Sequence, residues 1–237
     1  LSAKNEQVVS SPPTGWQVIW REFKKDKVAM FSLIALIIVI VGVFIWAWFI
    51  DKEALMKISL RDKYAEPGAQ FFLGADQGGR DILGQLIIGA RNSIGIAIAI
   101  TLITGIFGIF VGLICGYFGG WIDNMFMRII DFFITIPSLM LIIVFITVIP
   151  KYTVPEFVLI MSLFLWTGTA RLVRSKALSE SRRDYVNASK TLGTNDFVII
   201  FKEIMPNLSS ILIVELTLNF AGNVGIETGI SYLGFGL

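Results

Sequence analysis

Histidine is absent from this chain, and cysteine occurs once, at Cys115. A chain without histidine has no imidazole to serve as a base or a metal ligand, and one cysteine makes neither an intrachain disulfide nor a metal cluster. No lysine follows a glycine anywhere, so the phosphate-binding loop G-x-x-x-x-G-K-[S/T] is absent too. We therefore expect no catalytic residue, no metal site and no cofactor bound by this chain.

Charged residues are also scarce. They make up 16% of the chain, against about a quarter in soluble domains, whereas hydrophobic residues make up 55%. Mean hydropathy is +0.74. These values indicate an integral membrane protein, and the small net charge of +2 gives no indication of nucleic-acid binding.

Uncharged apolar runs predict where the chain crosses the membrane. The runs 28–50 and 94–115 each exceed the length of about 20 residues that spans the hydrocarbon core. Three further spans are predicted at the uncharged run 132–149, at 157–170 extended past Arg171 by Leu172 and Val173, and at 204–226, which only Glu215 interrupts. The run 157–170 alone is short for a span, so a buried core helix is its alternative interpretation. The sequence thus predicts an all-α, polytopic transmembrane bundle with five spans.

Basic residues indicate the orientation of these spans. With a cytoplasmic N-terminus, thirteen of the 20 basic residues fall on the cytoplasmic side, as the positive-inside rule requires. The segment 51–91 then lies outside the cell membrane. Residues 1–27 form a cytoplasmic segment that is predicted to contain a helix lying in the membrane interface, with lipid sensing as the alternative role. Its apolar face consists of Trp16, Ile19, Trp20 and Phe23, and its basic residues are Arg21, Lys24, Lys25 and Lys27.

A polar, amphipathic stretch separates the last two predicted spans. From residue 184 to 207 it reads DYVNASKTLGTNDFVIIFKEIMPN. Asp184 is predicted to cap a short helix that a left-handed Gly193 ends, and Asp196 to cap a second helix that ends near Pro206. Because helices too short to cross a bilayer must bury an apolar face elsewhere, we expect a partner protein to cover that face. Its residues are Tyr185, Val186, Ala188, Ser189 and Leu192 in the first helix, and Phe197, Ile200, Phe201 and Ile204 in the second.

The spacing of Ala188, Gly193 and Pro206 resembles the cytoplasmic loop signature of ABC-importer permease subunits. The flanking sequences DYV at 184–186 and IMPN at 204–207 are similar to the dipeptide, oligopeptide and nickel branch. The family's usual Glu-Ala-Ala is Asn-Ala-Ser here, and its usual Leu before the Pro is Met205. The resemblance implies an ATPase-coupling loop at 174–206. Its coupling residues are Asp184, Tyr185, Val186, Asn187, Ala188, Ser189, Leu192, Gly193 and Pro206.

This resemblance implies the type I ABC-importer permease fold over residues 28–237. In such a transporter a second homologous permease completes the path through a prokaryotic cell membrane, and two separate ATP-binding subunits hold ATP and Mg²⁺. An extracellular solute-binding protein delivers the cargo, which we expect to be peptide, with nickel or another small solute as the alternative. The family has six spans, so we expect a sixth beyond residue 237.

A second stretch, LGADQGGRD at 73–81, resembles the external loop motif of the same family. Its glycines supply turns, Asp81 is placed to cap the next helix, and Asp76 and Arg80 are placed to form a surface ion pair. One interpretation is that these residues only shape the loop. The other is that Asp76, Arg80 and Asp81 contact the solute-binding protein.

Small and polar residues recur within the predicted spans. Gly108, Gly112, Gly116 and Gly120 recur at every fourth position, which predicts close helix packing, with a gate hinge as the alternative. Arg128 and Asp131 lie one helical turn apart, and we expect them to form an ion pair.

The last predicted span carries a polar stripe of Glu215, Asn219 and Asn223. An ionisable group in the bilayer costs roughly 2.5 to 3.5 kcal/mol, so the stripe is predicted to line the translocation path or to pack against the second permease. Two other functions compete with the permease interpretation. One is an ion-coupled secondary transporter that uses Glu215 and Asp131 as ion sites, and the other is a structural scaffold.

Overall fold

A computed structural model describes residues 16–149 and 151–236, and gives only the backbone for residues 16–19 and 22. The described ranges are mostly helical and contain no β-strand, only an isolated bridge between Ala75 and Asp81. A short 3-10 helix lies at Leu60–Asp62, and π-helical turns lie at Ile199–Ile204 and Ser231–Phe235. The α-helices are α1 (Trp16–Lys25), α2 (Lys27–Phe49), α3 (Lys52–Met56), α4 (Ile82–Phe118), α5 (Gly120–Thr135), α6 (Ser138–Val148), α7 (Val154–Glu180), α8 (Asp184–Thr191), α9 (Asp196–Val198), α10 (Met205–Asn207) and α11 (Ser209–Ile230).

Four of these helices are long and apolar enough to cross a membrane: α2, α4, α7, and α11 with the π-helical turn that follows it. The pair α5 and α6 makes a fifth crossing when the two are taken together. The predicted all-α transmembrane bundle is therefore confirmed. The run 157–170 belongs to α7, which has 27 residues and reaches the length of a span.

The third predicted span is not one straight helix. α5 and α6 meet at an angle of 80°, with Ile136 and Pro137 at the break. Proline has no backbone N–H to donate and disfavours the helical conformation in the residue before it. For this reason the span predicted over 132–149 is divided between two helices.

α4 is much longer than the apolar run 94–115 that predicted it. Its 37 residues begin after Asp81, whose carboxylate accepts the N–H groups of Leu83 at 3.2 Å and Gly84 at 3.0 Å. The predicted cap at Asp81 is thus confirmed. At 1.5 Å per residue the helix is about 55 Å long, whereas the hydrocarbon core is about 30 Å thick. α4 therefore extends beyond the hydrocarbon core.

The core of the bundle is the contact between α4 and α7, and it depends on glycine. A Cβ at Gly108 would lie 2.9 Å from the carbonyl oxygen of Trp166, and one at Gly112 would lie 2.7 Å from that of Ala170. Gly116 approaches α7 in the same way. These three glycines confirm the predicted close packing. Gly120 is wrong as a fourth member, because α4 ends before it.

Two ion pairs join α5 to α7. Asp131 pairs with Arg171, so the predicted pair of Asp131 with Arg128 is wrong. Asp123 pairs with Arg174, whose Nε donates to a carboxylate oxygen at 2.9 Å. Because α5 and α7 lie side by side, an arginine across the helix contact reaches each carboxylate.

A helix, α1, is present where the interfacial helix is predicted, and its place in the membrane interface stays a prediction. The rings of Trp20 and Phe23 stack with their centroids 6.1 Å apart, and the Lys24 ammonium lies 5.2 Å from the Trp20 ring centroid. The predicted apolar positions Trp16 and Ile19 lie outside the described side chains. Asp26 separates α1 from α2 and caps α2, accepting the N–H of Val28 and of Ala29.

Candidate functional site

Residues 184–207, here called the connector, lie between α7 and α11. The predicted caps are each displaced by one residue. Arg183 holds the N-cap position of α8, and Asn195 caps α9 by accepting the Phe197 N–H at 2.9 Å. Asp184 and Asp196 are instead the first helical residues, because the residue before each has the extended backbone of an N-cap.

Gly193 turns the chain between the two halves of the connector. Its φ of +76° lies in the left-handed region, as predicted. The N–H groups of Gly193 and Thr194 donate to the carbonyl oxygens of Lys190 and Ser189, each at 3.0 Å. These bonds satisfy carbonyls at the end of α8 and reverse the chain toward α9.

The inner face of the connector is buried within the chain itself. Val186, Ile199, Ile200 and Ile204 are fully buried, where they pack in one cluster with residues of α4 and α7. For Val186, Ile200 and Ile204, the expectation that a partner must cover the apolar face is therefore wrong. Long extensions of α4 and α7 cover it instead. The cluster's members from those two helices are Leu113, Tyr117, Val173 and Ala177.

The outer face of the connector is exposed. Leu192 is 85% exposed and Phe197 is 54% exposed, which is unusual for large apolar side chains in a polar segment. The predicted coupling residues thus divide into two groups. Asp184, Asn187, Ala188, Leu192 and Gly193 are exposed, whereas Val186 is buried and Tyr185, Ser189 and Pro206 are partly buried.

Hydrogen bonds between side chains join the parts of the connector. The Ser189 hydroxyl lies 2.9 Å from both carboxylate oxygens of Glu203. The Tyr185 hydroxyl donates to Glu180 at 3.1 Å and accepts from the Asn207 amide at 3.0 Å. Burial raises the pKa of Tyr185 to about 12, so the phenol stays protonated as a donor. The sequence did not indicate Glu180 or Glu203, because each bonds to a residue outside its own helical turn.

The polar stripe of α11 packs against helices of the same chain. A Glu215 carboxylate oxygen lies 3.2 Å from the Thr169 hydroxyl and 3.1 Å from the Asn219 amide nitrogen. The Asn219 amide also donates to Thr169, at 2.8 Å. Asn223 is buried and donates to the Thr101 hydroxyl of α4 at 2.9 Å. Glu215 and Asn219 remain partly exposed.

A fourth stripe residue, Glu227, was missed. It follows Asn223 at the same four-residue spacing, so extending the stripe by one step would have found it. Glu227 is 4% exposed and accepts the Ser231 hydroxyl at 2.8 Å. Its second carboxylate oxygen has no hydrogen-bond partner among the described residues.

The loop between α3 and α4 is organised by Asp76. Its carboxylate accepts the backbone N–H of Gly78 at 2.7 Å and of Arg80 at 2.9 Å, and the Gln85 amide at 3.1 Å. The bond from the Arg80 N–H is the main reason that the pKa of Asp76 is lowered. The predicted side-chain ion pair of Asp76 with Arg80 is wrong within the described residues, since Arg80 contributes its backbone instead. Asp76, Arg80 and Asp81 are all partly exposed.

Comparison with protein families gives two matches. Residues 108–237 match the binding-protein-dependent transport system inner membrane component, which covers more than half of the chain. The chain belongs to this permease family. Residues 14–67 match the N-terminal transmembrane domain of oligopeptide transport permease C.

Individual relatives agree with this assignment. The permease is 50% identical over 220 residues to the oligopeptide transport system permease protein OppC of Lactococcus lactis subsp. lactis (strain IL1403), covering 92% of this chain and 75% of the relative. It is 33% identical to the dipeptide transport system permease protein DppC of Bacillus subtilis (strain 168), covering 93% and 68%. The OppC protein of Mycobacterium tuberculosis (strain ATCC 25618 / H37Rv) is 31% identical, covering 93% and 76%. The chain is thus a multi-pass membrane component of an ABC importer.

The three candidate sites of this permease occupy different parts of the fold. The connector packs against the last turns of α4, and the loop around Asp76 lies at the opposite end of this helix, next to Ile82. The polar stripe lies between them, on α11.

Proposed function

We propose that this permease and a second homologous permease form the path for oligopeptides or dipeptides in an ATP-driven importer. The N-terminus is cytoplasmic in this proposal, and the membrane is the cell membrane of a prokaryote. Its relatives are named for oligopeptide and dipeptide transport, which supports peptide as the cargo over nickel. ATP and Mg²⁺ are held by two separate ATP-binding subunits.

The proposal that an ATPase docks on the connector rests on the connector's exposed face. Its inner face is fixed to α4 and α7, so a force applied to the outer face reaches the membrane-spanning helices. The exposed side chains of Leu192 and Phe197 offer apolar surface that a partner can bury. Large apolar side chains exposed together are typical of a surface that binds another protein. Ala188 is exposed in the middle of α8, and its small side chain permits close approach of a partner.

The partly exposed stripe residues Glu215 and Asn219 line the path in this proposal. Their hydrogen bonds to Thr169 hold the polar groups in fixed positions while leaving one side open. Asn223 is buried against Thr101 and serves to hold α11 on α4.

The loop around Asp76 is proposed to contact the solute-binding protein, through Asp76, Arg80 and Asp81. The carboxylate of Asp76 already accepts three hydrogen bonds within the loop. The Asp76 carboxylate therefore fixes the shape of the loop. The guanidinium of the partly exposed Arg80 is the charged group that is proposed to bind the solute-binding protein.

The test is to produce the permease together with its partner subunits, purify the complex and reconstitute it in liposomes. Co-purification of an ATPase and ATP-dependent uptake of labelled peptide are expected. Ala188→Asp should reduce both, because it places an unpaired charge in the docked face, and Ala188→Ser is the neutral control of similar size. Uptake of nickel without peptide, or normal uptake by Ala188→Asp, would contradict the proposal.

A further inference from the structure

Tyr117 contacts both halves of the connector. It lies in the last turn of α4 and is buried. Its hydroxyl donates to the Asp196 carboxylate at 2.5 Å, and the Lys190 ammonium lies 4.4 Å from its ring centroid. Lys190 belongs to α8 and Asp196 to α9, so one side chain bridges the turn at Gly193.

The neighbouring residue strengthens this attachment. The Phe118 ring packs edge-on against Tyr117 at 5.1 Å and against Phe197 of α9 at 6.4 Å. A hydrogen bond to a carboxylate is stronger than one between neutral groups, and a cation over an aromatic face adds attraction. The end of α4 thus holds the connector by polar, cationic and aromatic contacts together.

The same end of α4 is also where the other helices join. Gly119 and Gly120 follow at once, both with positive φ, and lead into α5. α5 is tied to α7 by the pair of Asp123 with Arg174. A displacement of the connector is therefore transmitted to α4 directly, through Tyr117. It is transmitted to α5 and α7 indirectly, through α4 and this ion pair.

We propose that Tyr117 is a positioning residue for ATP-driven transport. It holds α8 and α9 on the end of α4, so that α4 and the connector move as one body during the transport cycle. This inference rests on the proposed function, since it assumes that an ATPase acts on the connector. Tyr117 itself touches neither ATP nor cargo.

The experiment measures peptide transported per ATP hydrolysed by the complete complex in liposomes. Tyr117→Phe keeps the ring and the Lys190 contact but loses the bond to Asp196. The ratio should fall roughly tenfold or more, which is the population change expected when one hydrogen bond to a charged group is lost. Asp196→Asn, with Tyr117 left in place, retains an acceptor oxygen for the Tyr117 hydroxyl and should lower the ratio less than Tyr117→Phe does.

Tyr152→Phe is the matched control. The Tyr152 hydroxyl donates to the carbonyl oxygen of Phe235 at 2.7 Å, far along the chain from the connector. This variant also loses one hydrogen bond and should leave the ratio unchanged. Equal ratios in Tyr117→Phe and Tyr152→Phe would overturn the inference, because the effect would then reflect only a lost bond.

A second measurement tests the movement itself. Cysteines replace Phe110 of α4 and Phe201 of the connector, whose rings stack with their centroids 6.3 Å apart, in a Cys115→Ala background, and are joined by a short thiol cross-linker. Transport should match that of the same variant before cross-linking if the connector stays on α4 throughout the cycle, and loss of transport on cross-linking would overturn the inference. Absence of ATP-dependent peptide uptake by the unsubstituted complex would instead overturn the proposed function, and this inference with it.

Discussion

At the residue scale, Gly193 sets the direction of the connector. Its left-handed backbone lies between α8 and α9, and a Cβ built there meets no atom within 4 Å. Space is therefore not the constraint at this position. The constraint is the backbone conformation, which costs an L-residue with a side chain roughly 1–2 kcal/mol.

Gly193→Val should reduce uptake while the permease still inserts into the membrane. A β-branched residue resists the left-handed conformation, so the two halves of the connector change their relative angle and the docking surface is lost. Uptake and ATPase co-purification measure this effect. Gly193→Asn is the control, because asparagine tolerates this conformation and should retain most of the uptake. Equal losses in both variants would contradict a purely conformational role.

Glu215 offers a second test at the residue scale. Glu215→Leu removes the acceptor of Thr169 and Asn219, and we expect it to lower the free energy of unfolding by about 1–3 kcal/mol. Glu215→Gln keeps an acceptor oxygen and should preserve stability while changing the transport rate or the cargo preference. Thermal unfolding in detergent and peptide uptake separate the two effects. Unchanged uptake in Glu215→Gln would argue against a place in the path.

Local residue chemistry could be predicted from the sequence better than residue pairing. The caps at Asp81 and the turn at Gly193 were found because a cap or a left-handed turn is a property of a few adjacent residues. The caps of α8 and α9 were missed by one position, since two adjacent residues compete for each. Asp131 was assigned to Arg128 because sequence spacing cannot show that Arg171 of another helix lies closer.

At the element scale, the contact of α4 with α7 limits what the bundle tolerates. Gly112→Ala places a methyl group 2.7 Å from the Ala170 carbonyl oxygen and should destabilise the protein by about 1–3 kcal/mol. Gly222→Ala in α11 is the control, because nothing lies within 4 Å of its Cβ. It should be neutral or stabilising. The unfolding midpoints of the two variants are the measurement, and equal midpoints would mean that α4 and α7 separate easily.

Elements were predicted well where hydrophobicity alone defines them. The four spanning helices and the bent pair α5 and α6 follow from apolar runs, because burial in lipid requires length and little else. The bend at Pro137 and the true length of α4 were missed. Polar ends of long helices carry no hydropathy signal, and a proline within a span is compatible with either a kink or a break.

At the scale of the whole molecule, the proposed orientation has a direct test. Single cysteines at exposed positions are introduced after Cys115 is replaced by alanine. Gln70→Cys in the segment 51–91 should react with an impermeant thiol reagent added outside cells, and Lys202→Cys in the connector should react only after the membrane is opened. Labelling with the reverse sidedness would overturn the orientation and the docking of an ATPase on the connector.

The arrangement of the whole chain could be predicted only in part. The sequence identified the connector as amphipathic, but assigned its apolar face to a partner protein. The buried residues of that face pack on Leu113 and Val173, whose helices extend beyond the apolar runs by which they were recognised. An amphipathic pattern shows that a face is buried, and only the three-dimensional structure shows against what.

The length of α4 has a mechanical consequence. One uninterrupted helix of about 55 Å carries the Asp76 loop at its first turn and the connector at its last. A stiff rod that is tilted at one end swings at the other, in the opposite direction about its pivot, with no need for a chain of small rearrangements between them. The close glycine contacts with α7 lie toward the connector end, so a pivot there would leave a short arm on the connector side and a long arm toward the Asp76 loop. Under the proposed function, a small displacement of the connector would then become a larger displacement of that loop.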